Sequence, residues 1–249
     1  MLFRSTLDYG PFGFCELFDP RFQPWTGGGE HFSFFNQPLA AEANYQMFWA
    51  VIRLLLADDA AALGQLDQLR DGFAATMQRQ LTAMWVSKIG LGTASPSPAA
   101  AERALVDELL PLLALSAVDP TIFFRRLSDL PEDLAGLQAS FYRPINGELD
   151  RRWQRWLQAW RAQVDAQGSR EATAAAMKRV NPSITWREWL VAPAYQAAEQ
   201  GERRGVQELH AVFLDPYRTL PPEIADRHDR LRPLECFQLG GVSHYSCSS

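Results

Sequence analysis

The sequence predicts a mainly α-helical protein with a loop-rich head and an irregular tail. From Pro38 onward, apolar residues recur every three to four positions, which is the period of one face of an α-helix. Alternation of apolar and polar residues, the sign of a half-buried strand, is confined to residues 31–35, which are too few to count. The first 37 residues combine aromatic side chains with glycine and proline turns, so a structured loop is expected there.

Helical segments are expected to follow one another through the body of the chain. The first begins after Gln37-Pro38 and ends near Asp58-Asp59, and a longer apolar stripe then runs from Leu66 to Trp85. Glycines 90 and 92 end that stripe, and a short Ser/Pro linker occupies residues 93–99. Further helices are predicted over residues 100–116, 121–130, 170–180, 184–200 and 202–214.

Two local sequence signals support particular helices. Asp119-Pro120 has the form of an N-cap followed by proline at the first helical position. Trp153, Trp156 and Trp160 have the spacing of one helix face, which favours a buried core rather than a cofactor site. We therefore divide the chain into residues 1–37 (loop-rich segment), 38–215 (helical domain) and 216–249 (irregular tail).

Composition and charge exclude several classes of function. With 47% hydrophobic and 21% charged residues, the chain is typical of a globular protein, and 249 residues suffice for a sizeable core. The net charge of -5 disfavours nucleic acid and anionic membrane as partners. There is no run of roughly 20 apolar residues to span a membrane and no secretory signal. Three cysteines are too few for a disulfide-stapled secreted domain, so a cytoplasmic location is expected for a bacterial protein.

Asp8-Tyr9-Gly10 is the strongest candidate for chemistry. An aspartate in a glycine turn can hold Mg²⁺ in phosphoryl-transfer enzymes, because its carboxylate supplies a hard oxygen and glycine allows the sharp turn. By itself such a triplet is more often a plain turn. The surrounding sequence therefore decides between the two interpretations.

That surrounding sequence contains an ordered series of motifs. Residues 7–14 read LDYGPFGF and are followed by Phe18-Asp19-Pro20. The later motifs are Asn36-Gln37-Pro38 with Asn44, Lys88-Ile89-Gly90-Leu91, Asp119-Pro120-Thr121, Phe123-Phe124-Arg125, Val180-Asn181-Pro182 with Arg187, Asp215-Pro216-Tyr217 and the terminal Ser246-Cys247-Ser248-Ser249. In this order, and over nearly the whole chain, they resemble the SelO (YdiU-type) family.

The resemblance implies the C-lobe portion of a protein-kinase-like (pseudokinase) fold. Members of this family transfer AMP from ATP to hydroxyl side chains of acceptor proteins, with Mg²⁺ or Mn²⁺ as cofactor. Asp8 would be the metal ligand, and Asp8 with Gly10 would form the cofactor-binding turn. The acceptor proteins are the implied partners.

The resemblance is incomplete at two places. The family's ATP-anchoring lysine, its glycine-rich region and its catalytic loop precede the Asp-Tyr-Gly triplet, whereas only seven residues precede Asp8 here. The activation-type segment also differs, since Gly27-Gly28-Gly29 and His31 replace polar family residues. The expectation is a C-terminal part that needs an N-lobe and transfers no AMP alone.

The cysteines suggest a second kind of chemistry. In the family, the position of Cys247 holds cysteine or selenocysteine near a mobile terminus, which implies a redox role, and Cys15 is the other thiol near the Asp-Tyr-Gly segment. An unreactive tail cysteine is the alternative. Zinc binding by Cys236, His244 and Cys247 fits no familiar ligand spacing.

A non-catalytic hypothesis stands beside the enzymatic one. The chain could be a helical interaction or regulatory module, or a remnant fragment. That hypothesis predicts an exposed apolar surface where a missing lobe would pack.

Overall fold

The computed structural model describes residues 15–23, 33–92 and 98–238, which fall into two compact units. The first unit comprises residues 20–23 and 33–82, and the second comprises residues 15–19, 83–92 and 98–238. Within these ranges the regular elements are helices, and strand-like pairing is limited to an isolated antiparallel bridge between Val118 and Phe141. The mainly helical class is confirmed.

The helices follow one another closely along the chain. They are α1 (Gln37–Leu55), α2 (Ala60–Asp71), α3 (Phe73–Lys88), α4 (Ala100–Leu115), α5 (Pro120–Leu127), α6 (Gly147–Asp165), α7 (Arg170–Val180), α8 (Glu188–Glu199), α9 (Arg204–Phe213) and α10 (Pro222–His228), with short 3₁₀ helices at Phe34–Asn36, Leu134–Ser140 and Leu234–Gln238. None of the helices in the described ranges combines the length and the apolar character needed to cross a bilayer.

The long apolar stripe predicted from Leu66 to Trp85 is divided between two helices. Gly72 lies between α2 and α3 and forms the C-cap of α2. Glycine inside a helix costs about 1 kcal/mol relative to alanine, so it is a natural point for a break. Asp59 starts α2, because its side chain accepts a hydrogen bond from the Ala62 N–H at 2.9 Å.

A row of three tryptophans on α6 forms the centre of the second unit. Trp153, Trp156 and Trp160 are fully buried, as the sequence predicted. Each indole N–H donates to a partner in the core: Ser116 Oγ at 2.8 Å, Leu105 O at 2.8 Å and Ile89 O at 2.7 Å, respectively. Buried tryptophans are stable only when this donor is satisfied, so these bonds fix α6 against the neighbouring segments.

The N-cap predicted at Asp119 is confirmed. Its Oδ1 accepts a hydrogen bond from the Ile122 N–H at 3.0 Å, and Pro120 is the first residue of α5. The helix that follows buries Phe123 and Leu127 completely. A polar cap and an apolar face thus position α5 inside the core.

The tail is more regular than expected. Residues 216–249 were predicted to be irregular, but α10 begins at Pro222, where a proline at the first helical position needs no N–H partner. Its residue Ile224 packs against a small apolar cluster of Ile184, Val212 and Leu220. Burial of this short amphipathic segment accounts for its helical structure.

The first unit has a different character. Among residues 34–82 no side chain is buried, although a 3₁₀ helix, α1, α2 and the first part of α3 occur there. Its contacts include an aromatic stack and a polar bond: the rings of Tyr45 and Phe73 stack at 4.6 Å, and Trp49 Nε1 donates to Asp67 Oδ1 at 3.1 Å.

Candidate functional site

The predicted metal-binding triplet Asp8-Tyr9-Gly10 is followed in sequence by a segment with a well-defined anchor. Asp8, Gly10 and Cys247 lie outside the described residues, as does the glycine run at residues 27–29. The described chain begins at Cys15, seven residues after Asp8. The structure therefore shows how the segment directly downstream of the turn is held.

Glu16 is the residue that fastens this segment. Its carboxylate is buried, and Oε2 accepts hydrogen bonds from Arg187 Nη1 at 2.8 Å and from Trp189 Nε1 at 2.7 Å. Oε1 lies 3.5 Å from Arg232 Nη1. Arginines that are 171 and 216 residues away in sequence therefore converge on one carboxylate.

Asp119 completes the arrangement on the other side of Arg187. Its Oδ2 lies 2.6 Å from Arg187 Nη1, while its Oδ1 caps α5. Arg187 is 1% exposed, and the side chains of Asp119 and Glu16 are 0% and 6% exposed. Glu16, Asp119, Arg187 and Arg232 form what we call the Glu16 cluster, in which two carboxylates balance two guanidinium groups.

The electrostatics of the Glu16 cluster depend on this balance. Burial by itself would lower the pKa of Arg187, but the charges and hydrogen bonds of Asp119 and Glu16 outweigh burial and raise it. Arg187 therefore stays charged throughout the accessible pH range. Removing one member of a buried ion pair leaves an uncompensated charge, at a cost of about 3–5 kcal/mol.

Backbone contacts reinforce the same segment. The Phe18 N–H donates to Val118 O at 2.8 Å, and the Phe18 ring is buried. Tyr142 donates from its hydroxyl to Glu16 O at 3.3 Å, and burial, followed by the nearby Asp119 charge, raises the pKa of this phenol. Residues 15–19 are thus fixed by both backbone and side-chain bonds.

Cys15 is not an activated thiol. Its Sγ donates to Leu17 O at 2.8 Å and accepts from the Asp19 N–H at 3.4 Å. Burial is the largest cause that raises the pKa of this thiol to about 11; the Asp19 N–H lowers the pKa in part, and the charges of Asp19, Asp119 and Glu16 raise it. Because the thiolate is the reactive species, the raised pKa disfavours reaction of Cys15 at neutral pH. The redox role of Cys15 and Cys247 stays a prediction.

Other motif residues form a second polar cluster. Asn181 donates from Nδ2 to Lys88 O at 2.8 Å and to Ser128 Oγ at 3.2 Å, and Lys88 Nζ lies 3.4 Å from Asn181 Oδ1. Arg125 donates from Nη1 to Asn181 O at 3.1 Å and Tyr217 O at 3.2 Å. Burial lowers the pKa of Lys88. These residues stabilise the body of the second unit and present no open reactive group.

The sequence identified only part of the Glu16 cluster. The sequence predicts Asp119 as an N-cap and marks Arg187 as a motif residue, but it gives neither residue a role in an ion-pair cluster, and it offers no motif for Glu16, Trp189 or Arg232. Glu16 is a lone acid between apolar neighbours, which is a weak signal in a loop. Only the fold brings its distant partners to it.

The described residues contain no alternative metal site. Across residues 15–23, 33–92 and 98–238, no group of three or more His, Cys, Asp or Glu side chains is arranged to hold a metal ion. The assignment of Asp8 as a metal ligand stays a prediction.

A family model described as "Protein adenylyltransferase SelO" matches residues 2–213 of the chain. The chain belongs to the SelO family. The match includes Asp8 and three members of the Glu16 cluster, Glu16, Asp119 and Arg187, whereas Arg232 lies beyond its end.

Similarity to bacterial proteins supports the same family membership. The chain is 34% identical over 256 residues to "Protein nucleotidyltransferase YdiU" of Xanthomonas euvesicatoria pv. vesicatoria (strain 85-10), covering 98% of this chain and 46% of the relative. Proteins of the same name from Tolumonas auensis (strain DSM 9187 / NBRC 110442 / TA 4) and Flavobacterium johnsoniae (strain UW101) are 30% and 28% identical, over 98% of this chain and 46% and 47% of their own lengths. The chain thus spans about half the length of the relatives it matches.

Proposed function

We propose that this chain is the part of a SelO-type protein adenylyltransferase that carries the metal ligand Asp8, within the C-lobe of a protein-kinase-like fold. Membership of the SelO family supports the reaction class. The observation that carries the proposal is the anchoring of Glu16, eight residues after Asp8, by Arg187 at 2.8 Å. A buried anchor at that distance restricts where the turn can lie, and positioning is what a nucleotidyl-transfer site requires.

In the proposed reaction, a hydroxyl oxygen of an acceptor protein attacks the α-phosphorus of ATP. A P–O bond forms between the acceptor oxygen and the α-phosphorus, the bond from the α-phosphorus to the oxygen that bridges to the β-phosphorus breaks, the hydroxyl proton passes to solvent, and pyrophosphate leaves. A bound Mg²⁺ or Mn²⁺ ion would supply charge stabilisation for the phosphate oxygens. Asp8 would provide a carboxylate oxygen to that ion, and Gly10 would let the backbone turn beneath it.

The rest of the site is proposed to come from the remainder of the family's polypeptide. The chain matches only 46% of the Xanthomonas euvesicatoria relative, and the resemblance assigns ATP anchoring to the half of the family that this chain does not align with. Protein hydroxyl groups are the proposed acceptors, and the cytoplasm the proposed location.

Metal binding tests the assignment of Asp8 most directly. Titration of the purified chain with Mn²⁺, followed by electron paramagnetic resonance, should show a bound ion that Asp8→Ala weakens by about tenfold or more. Asp107→Ala, which removes an exposed carboxylate on α4, is the matched control. Equal Mn²⁺ binding by Asp8→Ala and the unaltered chain would contradict the proposal.

AMP transfer tests the activity. The chain is incubated with labelled ATP, Mg²⁺ and acceptor proteins, alone and with the segment of the Xanthomonas euvesicatoria relative that it does not match. Transfer is expected only with both polypeptides and is abolished by Asp8→Ala. Robust transfer by the chain alone would show that it already holds a complete site.

A second candidate function is a non-catalytic helical interaction module. The exposed apolar face of α1 favours it, because that face is suited to binding a partner. Under this alternative, the chain binds a polypeptide while Asp8→Ala changes neither metal binding nor any transfer activity.

A further inference from the structure

Helix α1 carries a continuous apolar stripe that faces solvent. Positions 47, 48, 51, 54 and 55 have the i, i+1, i+4, i+7, i+8 spacing of a single helix face. Their side chains are largely exposed: Met47 71%, Phe48 56%, Val51 56%, Leu54 78% and Leu55 77%. We call these five residues the α1 stripe.

The α1 stripe is separate from the face that α1 uses to pack within its own unit. That face bears Tyr45, Trp49 and Arg53, which are displaced around the helix from the stripe. Tyr45 stacks on Phe73, and Arg53 pairs with Asp67 at 2.9 Å. The stripe is thus a second apolar surface for which the described residues of this unit supply no cover.

The first unit also lacks an apolar core among its described residues. No hydrophobic side chain of residues 33–82 is buried. Most helices of globular proteins owe their stability to packing of an apolar face rather than to intrinsic propensity. A helix of 19 residues whose apolar stripe is open therefore points to a covering partner.

The chemistry of the helix restricts that partner. Between Gln37 and Leu55, only Glu42 and Arg53 are charged. A surface with so little positive charge attracts neither nucleic acid nor an anionic membrane. The fitting partner is an apolar face of another polypeptide segment.

We propose that the α1 stripe is the docking surface for the portion of the SelO polypeptide that this chain does not contain. The relatives carry more than half of their length outside the matched region, since the chain covers 46% of the Xanthomonas euvesicatoria protein. A second copy of this chain fits less well, because a single-helix stripe is narrow beside the roughly 800 Å² per partner of a standard interface. Segments of one polypeptide also avoid much of the entropy cost of association.

The test uses the chain and the unmatched segment of the Xanthomonas euvesicatoria relative, co-expressed and purified through a tag on one of them. Size-exclusion chromatography with light scattering should show a 1:1 complex. Val51→Glu and Leu54→Glu should each weaken the complex by about tenfold or more, since a buried unpaired carboxylate is strongly unfavourable. Leu69→Glu on α2 and Leu115→Glu on α4 change similarly exposed leucines and should leave it intact.

Two further measurements separate the outcomes. Circular dichroism should show native helix content in Val51→Glu, because Val51 is exposed in the unaltered chain. A photo-crosslinking amino acid at position 54 should join the chain to the relative's segment. Cross-links between two copies of this chain, a complex unaffected by either stripe variant, or no complex at all would overturn the proposal.

The experiments distinguish failure of this inference from failure of the proposed function. It rests on family membership and on the exposure of α1, not on AMP transfer. Asp8→Ala should leave the complex unchanged, and a complex that forms but transfers no AMP contradicts the proposed activity alone.

Discussion

The two units of this protein contain helices with similar apolar periodicity, but among the described residues only the second unit buries an apolar core. In the second unit, α6 buries Trp153, Trp156 and Trp160 completely. In the first unit, α1 leaves Leu54 and Leu55 more than three-quarters exposed. Periodicity shows which residues share a face, whereas burial depends on whether the covering segment belongs to the same stretch of chain.

The largest expected difference between the units comes from truncating one aromatic residue in each. Trp156→Ala should lower the free energy of unfolding of the second unit by about 4 kcal/mol, because it opens a cavity and leaves Leu105 O without its donor. Phe48→Ala on α1 should change the free energy of unfolding of the first unit by less than about 0.5 kcal/mol. Urea unfolding followed by tryptophan fluorescence and circular dichroism measures both, and equal losses would contradict the contrast.

The next effect concerns the Glu16 cluster. Arg187→Met should destabilise the second unit by about 3 kcal/mol, because Asp119 would lose its paired cation while buried, and Glu16 would keep only the longer 3.5 Å contact with Arg232. It should also make residues 15–19 accessible to limited proteolysis. Arg151→Met, which removes an exposed pair with Glu148, is the control and should leave the unfolding midpoint unchanged. Unchanged proteolysis of Arg187→Met would show that the cluster does not anchor this segment.

Glycine substitutions should have opposite signs in the two units. Gly90 has φ +74°, and an added Cβ would lie 2.6 Å from Met177 Sδ, so Gly90→Ala should destabilise by about 1–2 kcal/mol. Gly64, inside α2, has open space around it, so Gly64→Ala should stabilise the helix by about 0.5–1 kcal/mol. Thermal unfolding of both variants checks the signs. A stabilising Gly90→Ala would mean that this turn is not packed as described.

The smallest expected effect is the alkaline behaviour of Cys15. Because folding raises the pKa of its thiol from 9.0 to about 11, the folded state keeps a proton that the unfolded state loses between these pH values. Stability should therefore fall as pH rises from about 9 to about 11, and Cys15→Ser should reduce that fall. At pH 8, iodoacetamide should label Cys15 slowly in the folded chain and quickly in urea. Rapid labelling of the folded chain would contradict the burial of this thiol.

Much of the helical framework could be predicted from the sequence. The Asp119 N-cap, the tryptophan face of α6 and the extent of α7 follow from local residue patterns, which act over a few positions. The break at Gly72 and the helix at Pro222 depend on a balance between local preference and packing, which periodicity alone does not resolve.

The candidate site was less predictable. A short motif identifies Asp8 as a candidate metal ligand. The arginines that contact Glu16 are 171 and 216 residues away from it in sequence, and only tertiary structure brings them together. One hypothesis predicts an exposed apolar surface, but its location on α1 could not be predicted, because an amphipathic helix has the same sequence pattern whether its partner is nearby or on another segment.

Hydrogen–deuterium exchange of the isolated chain, followed by mass spectrometry, tests the contrast between the units most directly. Amides of α6 should be strongly protected, and those of α1 should exchange orders of magnitude faster, because local stability follows buried packing. Addition of the unmatched segment of the Xanthomonas euvesicatoria relative should then slow exchange in α1 but not in α6. Equal protection of α1 and α6 in the chain alone would contradict the conclusion that the first unit depends on a partner to cover its apolar face.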